Sequence, residues 1–450
     1  MQRKETDKNS RRLGLTGLTA LVFGMMVGSG IFNIPQNMAA GAGLGAVMAG
    51  WGITALGMLM LVGTFKILSD RHPELNEGIY LYAEKGFSRL TGFWVAWGYW
   101  LCACFANVAY AVMLNDTFGA FFPELLDHGG WTIFFCSALI WILFFVIRCG
   151  LRTSAFIATC SAMVKFTVIL LIIVMLTLNV RYDTLTADVW CRGDGIGGVA
   201  SQVKSTMLVT LWCFIGIEGA VVMSGRARRH GDVGKAGVLG FLSAWILYVL
   251  VSVFCFGIMS RAQLAGLEDP SVAYALRAVC GPWAYWLVIA AVIISISGGL
   301  FAWMLVTAEQ PFSAARHGIF PRWLMARDGS DSPTRSLLAS CAIMQAFTLL
   351  VIFAEDVYLY ALNITGLMIL PAYLFSGLFL MKTARADFRG GLISRRPRLR
   401  YAQAMATGGA CTIFCLWMLY AAGLELLLQA LCFYIAGLPL YRRDSESQAA

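Results

Sequence analysis

An all-α membrane protein of twelve transmembrane helices is the fold class this sequence predicts. Three observations predict it: an apolar composition, a series of long apolar runs, and unequal basic charge in alternate loops. Of its 450 residues, 59% are hydrophobic and 13% charged, against roughly 25% charged in a soluble domain. Gly is abundant at 46 and Pro scarce at 11, a balance that suits helices packed closely in lipid.

A spanning helix takes about 20 apolar residues. Twelve such segments are legible, at 13–40, 44–66, 91–122, 131–148, 155–180, 199–225, 235–260, 281–310, 336–354, 357–381, 404–422 and 423–441. Only helices and closed barrels satisfy every backbone polar group in lipid, and these runs are too long for barrel strands. The last two abut at Gly423, so a tight turn must separate them.

Assigning alternate loops to opposite sides places 28 of the 34 Lys and Arg on one side and 4 on the other, with Lys165 and Lys204 inside spans. That asymmetry predicts cytoplasmic termini. The expected organisation is a cytoplasmic tail over 1–12, a ten-helix transport core over 13–381, a basic cytoplasmic loop over 382–403, two accessory helices over 404–441, and a second tail over 442–450. The net charge of +9 is spread through these loops, so it points to a bilayer and not to nucleic acid. The run Arg395 to Arg400 reads as a cytoplasmic anchor, with binding of acidic lipid as the sharper alternative.

The 13 Cys lie mostly inside apolar runs and form no paired CxxC; there they act as small hydrophobes. The four His (His72, His128, His230, His317) fall in loops. No metal site, no cofactor and no clustered nucleophile and base are expected, so the chain does not read as an enzyme. The first apolar run is too long for a signal peptide and continues into further spans.

The first span contains Gly28-Ser29-Gly30 and then Pro35; the sixth contains Gly216-Ile217-Glu218-Gly219. The two interruptions lie five spans apart, as expected if spans 1–5 and 6–10 are inverted repeats, and such pairs mark a transporter binding site. Unwinding would expose N–H groups that attract a carboxylate and C=O groups that attract an ammonium. Glycine at these positions equally serves close helix packing.

Charge at membrane depth is costly and usually functional. Glu218 sits at the second break and Lys165 lies deep in the fifth span. Either could be linked to a proton, and either could instead be structural. Lys204 is near a span end and is expected to snorkel; Asp116 and Glu309 are near span ends too and are expected to be mostly solvated. Among 14 Trp, Trp212 before the second break and Trp303 in the eighth span stand out as surfaces for a cation.

Five stretches carry a family resemblance: VGSGIFNIPQNMA (27–39), PELNEGIYLYAEKGF (73–87), AWGYWLCACFANVAY (96–110), TLWCFIGIEGAVVMSG (210–225) and AWMLVTAEQPFSAARHGIFP (302–321). With them the chain resembles, over nearly its whole length, the amino acid–polyamine–organocation superfamily and within it the basic amino acid/polyamine antiporters.

The resemblance implies two inverted five-helix repeats plus two extra helices, in a bacterial inner membrane. It implies exchange of L-arginine for agmatine or ornithine by alternating access, with a proton-coupled amino-acid uptake symporter as the alternative. By resemblance, Ser29 and Gly30 hold the substrate carboxylate with Met26 beside the amine. Trp212 closes over the substrate, the Ile215 carbonyl receives the amine, and Trp303 stacks the guanidinium. Cys102, Ala103 and Asn107 match positions that hydrogen-bond the guanidinium. Tyr99 matches an outer gate, and Lys165 resembles the fifth-span Lys of proton-coupled relatives. Met25 stands where the arginine/agmatine members carry Asn, and Tyr110 where they carry Met. A homodimer is among the assemblies the sequence allows.

Overall fold

The computed structural model describes residues 14–75, 78–127, 129–148, 154–186, 189–191, 195–219, 228, 231–327, 333–351, 356–389 and 397–441. Those residues are helices and their connections, with no strand among them.

The first apolar segment is not one helix. Helix α1 (Leu15–Met26) ends where Val27 turns to φ −78°, ψ 96°. A 3-10 turn at Gly30–Phe32 follows, and the chain restarts as α2 (Ile34–Ala39) with Pro35 in its first turn. Proline is favoured there because the opening N–H groups of a helix have no partner inside it. Next come α3 (Leu44–Arg71), α4 (Tyr80–Gly86), α5 (Arg89–Phe118), α6 (Gly130–Arg148), α7 (Ser154–Asn179) and α8 (Tyr182–Thr186). Ser88 caps α5 by accepting from the Thr91 N–H, satisfying one otherwise unpaired donor.

The sixth segment is interrupted too. Helix α9 (Val199–Trp212) gives way to turns over 213–218. There Gly216 takes φ +109°, a conformation costly for any residue with a β-carbon. The remainder is α10 (Asp232–Ile258), α11 (Arg261–Ala265), α12 (Ser271–Cys280), α13 (Pro282–Arg316), α14 (Thr334–Val351), α15 (Val357–Arg389), α16 (Pro397–Ala422) and α17 (Leu424–Ile435). Gly423, at φ +83°, makes the tight turn between the last two.

Among the described residues, eight helices are long and apolar enough to cross a membrane: α3, α5, α6, α10, α13, α15, residues 398–422 of α16, and Leu424–Tyr441. Shorter apolar helices stand at Leu15–Met26, Met163–Asn179, Ser271–Cys280 and Thr334–Leu350. Helix α5 is the hub: its spanning window is 100% buried, against 11% for Leu424–Tyr441. The first runs through the centre of the bundle and the second along its edge. α5 packs on α13 and α15, α1 on α10, and α7 on α13.

Several expectations change. The segment 382–403 is mostly helix, because α15 continues to Arg389 and α16 begins at Pro397. Lys382, Arg385 and Arg389 are good helix formers, and the run meets no helix breaker before Gly390. Asp116 is only 5% exposed, because the turn at Pro123–Asp127 folds back over the end of α5. There Asn115 Nδ2 donates both to Leu125 O and to Asp116 Oδ1, each at 3.0 Å. Glu309 is exposed as expected, 4.0 Å from Arg327. Lys204 lies 4.9 Å above the Tyr420 ring. The connections carry helices α4, α8, α11 and α12, of five to ten residues, all shorter than a membrane span. His128, His230, Arg395 and Arg396 lie outside the described residues, as do the tails 1–13 and 442–450.

Candidate functional site

The two breaks face each other. A β-carbon on Gly30 would lie 3.0 Å from Trp212 Cδ1 and Nε1, and one on Gly216 would lie 3.0 Å from the Met25 carbonyl carbon. Between them is a cavity lined by Met25, Met26, Gly28, Ser29, Gly30, Ala106, Tyr110, Trp212, Cys213, Ile215, Tyr248 and Trp303. It is narrow: its volume is about 10 Å³, close to the minimum for one water.

Four hydrogen bonds fix the first break from outside. Tyr248 Oη donates to Met26 O at 2.8 Å, and Lys165 Nζ donates to Val27 O at 3.2 Å. Tyr358 Oη donates to Ser29 Oγ at 3.1 Å. At the far end of the break the Ser271 N–H donates to Asn33 Oδ1 at 3.2 Å, which docks α12 onto it. Tyr248 is itself held by a parallel stack on Trp51, with centroids 5.7 Å apart. The carbonyls closing α1 are thus occupied, one of them by an ammonium, the sign of charge a helix C-terminus favours.

The N–H groups of the same break are different. Those of Gly28, Ser29 and Gly30 donate to no backbone carbonyl among the described residues. Across the cavity, Ile215 O accepts no backbone bond from any described residue. Donors without a backbone partner therefore lie on one wall, two of them facing tyrosine hydroxyls (Gly28 that of Tyr248, Ser29 that of Tyr110), and an acceptor without a backbone partner lies on the other. Buried groups of this kind are rarely left without partners.

Beside the cavity, Glu218 is fully buried. It accepts from Tyr99 Oη at 3.2 Å, Tyr373 Oη at 2.8 Å and the Gly216 N–H at 3.1 Å. The cluster ties α5, α15 and the second break together. On another side, Asn107 Nδ2 donates to Ala103 O at 2.8 Å and to Thr307 Oγ1 at 2.9 Å. Thr307 Oγ1 in turn donates to Trp303 O at 2.7 Å. Both amide hydrogens of Asn107 are committed, and its Oδ1 is a buried acceptor with no partner among the described residues.

Of the residues singled out in the sequence, Met26, Ser29, Gly30, Trp212, Ile215 and Trp303 line the cavity. Cys102, Ala103 and Asn107 do not; on α5 the lining residues are Ala106 and Tyr110, one turn further along. Tyr99 and Glu218 meet each other in the cluster beside the cavity. Lys165 stands behind the first break, 3% exposed, and no carboxylate forms an ion pair with it among the described residues. Tyr248, Tyr358 and Tyr373 were not singled out. A signal existed: a Tyr hydroxyl inside an apolar run must find a buried partner.

The sequence matches the amino acid permease family over residues 13–440. It is 39% identical over 441 residues to the arginine/agmatine antiporter of Chlamydia pneumoniae, covering 96% of this chain and 90% of that protein. It is 40% identical over 442 residues to the arginine/agmatine antiporter of Chlamydia felis (97% and 90%), and 38% identical over 433 residues to that of Chlamydia trachomatis serovar L2 (95% and 89%).

Proposed function

The chain belongs to the amino acid permease family, and from that premise we propose that it is a membrane antiporter exchanging L-arginine for agmatine by alternating access. One observation carries the reading: backbone N–H groups and a backbone carbonyl that have no backbone partner among the described residues face each other across one cavity between two interrupted helices.

The chemistry of arginine fits those walls. Its carboxylate takes the N–H groups of Ser29 and Gly30, the opening end of a helix, where anions are favoured. Its α-ammonium takes Ile215 O. Its guanidinium reaches the Trp303 face, an interaction worth about 0.5–2 kcal/mol. The free Asn107 Oδ1 then accepts one guanidinium N–H; Cys102 and Ala103 stand beside it on α5. Because the closed cavity holds about one water, the walls must part to admit a ligand. Trp212 on Gly30 is the contact that opens on one side, and the Tyr99–Glu218–Tyr373 cluster the contact that opens on the other.

The same proposal includes twelve spans, two inverted five-helix repeats with α1–α2 and α9 as the broken members, and both termini in the cytoplasm. It also places the protein in the bacterial inner membrane. The basic-residue asymmetry and the five-span separation of the breaks support that arrangement.

Counterflow in liposomes tests the exchange. Arginine carries a charge of about +1 and agmatine about +2 at neutral pH, so one-for-one exchange exports about one charge per cycle. Labelled arginine should enter agmatine-loaded vesicles, and an inside-positive potential should accelerate it. Ornithine-loaded vesicles would show exchange without that voltage response. A second reading, proton-coupled uptake, draws on the buried Lys165 at Val27 O. It predicts accumulation in empty vesicles under a pH gradient alone, a result that would contradict obligatory exchange.

A further inference from the structure

Tyr110 is placed where a substrate carboxylate would go. A β-carbon on Gly28 would lie 1.6 Å from the Tyr110 hydroxyl oxygen; the hydroxyl is pressed directly onto the backbone of the first break. It faces the Ser29 N–H and the Trp303 indole. Its ring is held on the other side by Gly299, whose β-carbon would lie 2.9 Å from Tyr110 Cε1, and it stands 6.3 Å from the Trp212 ring. Tyr110 is 4% exposed, so the hydroxyl is committed to this position in the closed cavity.

The N–H groups of Gly28, Ser29 and Gly30 have no backbone partner among the described residues; that of Gly28 faces the Tyr248 hydroxyl, and those of Ser29 and Gly30 need an acceptor from the cavity side, since a buried donor without one is costly. A ligand carboxylate would satisfy them. A decarboxylated amine cannot. We propose that the Tyr110 hydroxyl is a specificity-determining group that stands in for the carboxylate, accepting from the first break when the cavity holds the decarboxylated amine and yielding to the carboxylate when it holds the amino acid. This assignment rests on the exchange reading above and deepens it. One site then serves two ligands that differ by a charged group, with the donors of the break answered in both cases.

Tyr110→Phe removes the hydroxyl and keeps the ring. Equilibrium binding of L-arginine and agmatine to purified wild type and Y110F is the test. Agmatine affinity should fall about tenfold, the size of effect expected for one orphaned buried donor. Arginine affinity should stay within about twofold, which also shows that the variant is folded, since its carboxylate supplies the acceptor itself. An unchanged agmatine-to-arginine affinity ratio would overturn the assignment. So would a larger loss for arginine, which would mean that the hydroxyl donates to the carboxylate instead of replacing it. Wild type that binds neither ligand would overturn the exchange reading, and the assignment with it; the wild-type arm separates that failure from the other two.

Discussion

Glu218→Ala is expected to cut exchange at least about tenfold while arginine affinity changes little. The carboxylate lies outside the cavity lining but answers three donors, Tyr99 Oη, Tyr373 Oη and the Gly216 N–H. Removing it leaves all three unsatisfied in a site with no exposure to water, at a cost of about 1–3 kcal/mol for each buried donor. The closed arrangement of α5, α15 and the second break loses its common anchor. Glu218→Gln keeps the volume and one acceptor oxygen, and should recover part of the loss. Exchange rate and equilibrium binding, measured side by side, check this. Wild-type exchange in Glu218→Ala would show that the cluster does not control the opening of the site.

Gly28→Ala should abolish both binding and exchange. Its β-carbon would meet the Tyr110 hydroxyl oxygen at 1.6 Å and Cζ at 2.6 Å. In the closed arrangement Gly299 and Trp212 back the Tyr110 ring, so a permanent methyl on Gly28 would hold the site out of that arrangement. Overpacking of a buried site costs about 1–3 kcal/mol even when neighbours adjust, and here the adjustment would have to open the break itself. Adding Tyr110→Ala should restore the fold, seen as recovered thermal stability in detergent. A single Gly28→Ala variant that binds arginine normally would show that the close approach is not required.

The two breaks were legible because their cause is local. Gly-Ser-Gly carries backbone freedom and Gly-Ile-Glu-Gly adds a buried carboxyl to it, and the structure interrupts both helices there. The depth of Lys165 was also legible, since position along an apolar run is depth in the bilayer. Its partner was not: Val27 O is 138 positions away, and pairing across helices leaves no mark at either end. The tyrosines were missed for the same reason, Tyr373 reaching Glu218 across 155 positions and Tyr358 reaching Ser29 across 329. Asp116 shows that closeness to a helix end is not exposure: the 3-10 turn at Pro123–Asp127 covers it, and nothing within the span itself signals that cover. On α5 the family resemblance pointed to Cys102, Ala103 and Asn107. The closed cavity meets the next turn, at Ala106 and Tyr110, and Asn107 keeps its unpaired Oδ1 just beyond.

A structure of the protein with L-arginine bound tests the opposed backbone dipoles most directly. The account predicts carboxylate oxygens about 2.7–3.2 Å from the Ser29 and Gly30 nitrogens, the α-ammonium on Ile215 O, and the Tyr110 hydroxyl moved off Gly28. A carboxylate seated on Lys165 instead, or a bound state in which residues 27–33 and 213–218 form continuous helix, would contradict it.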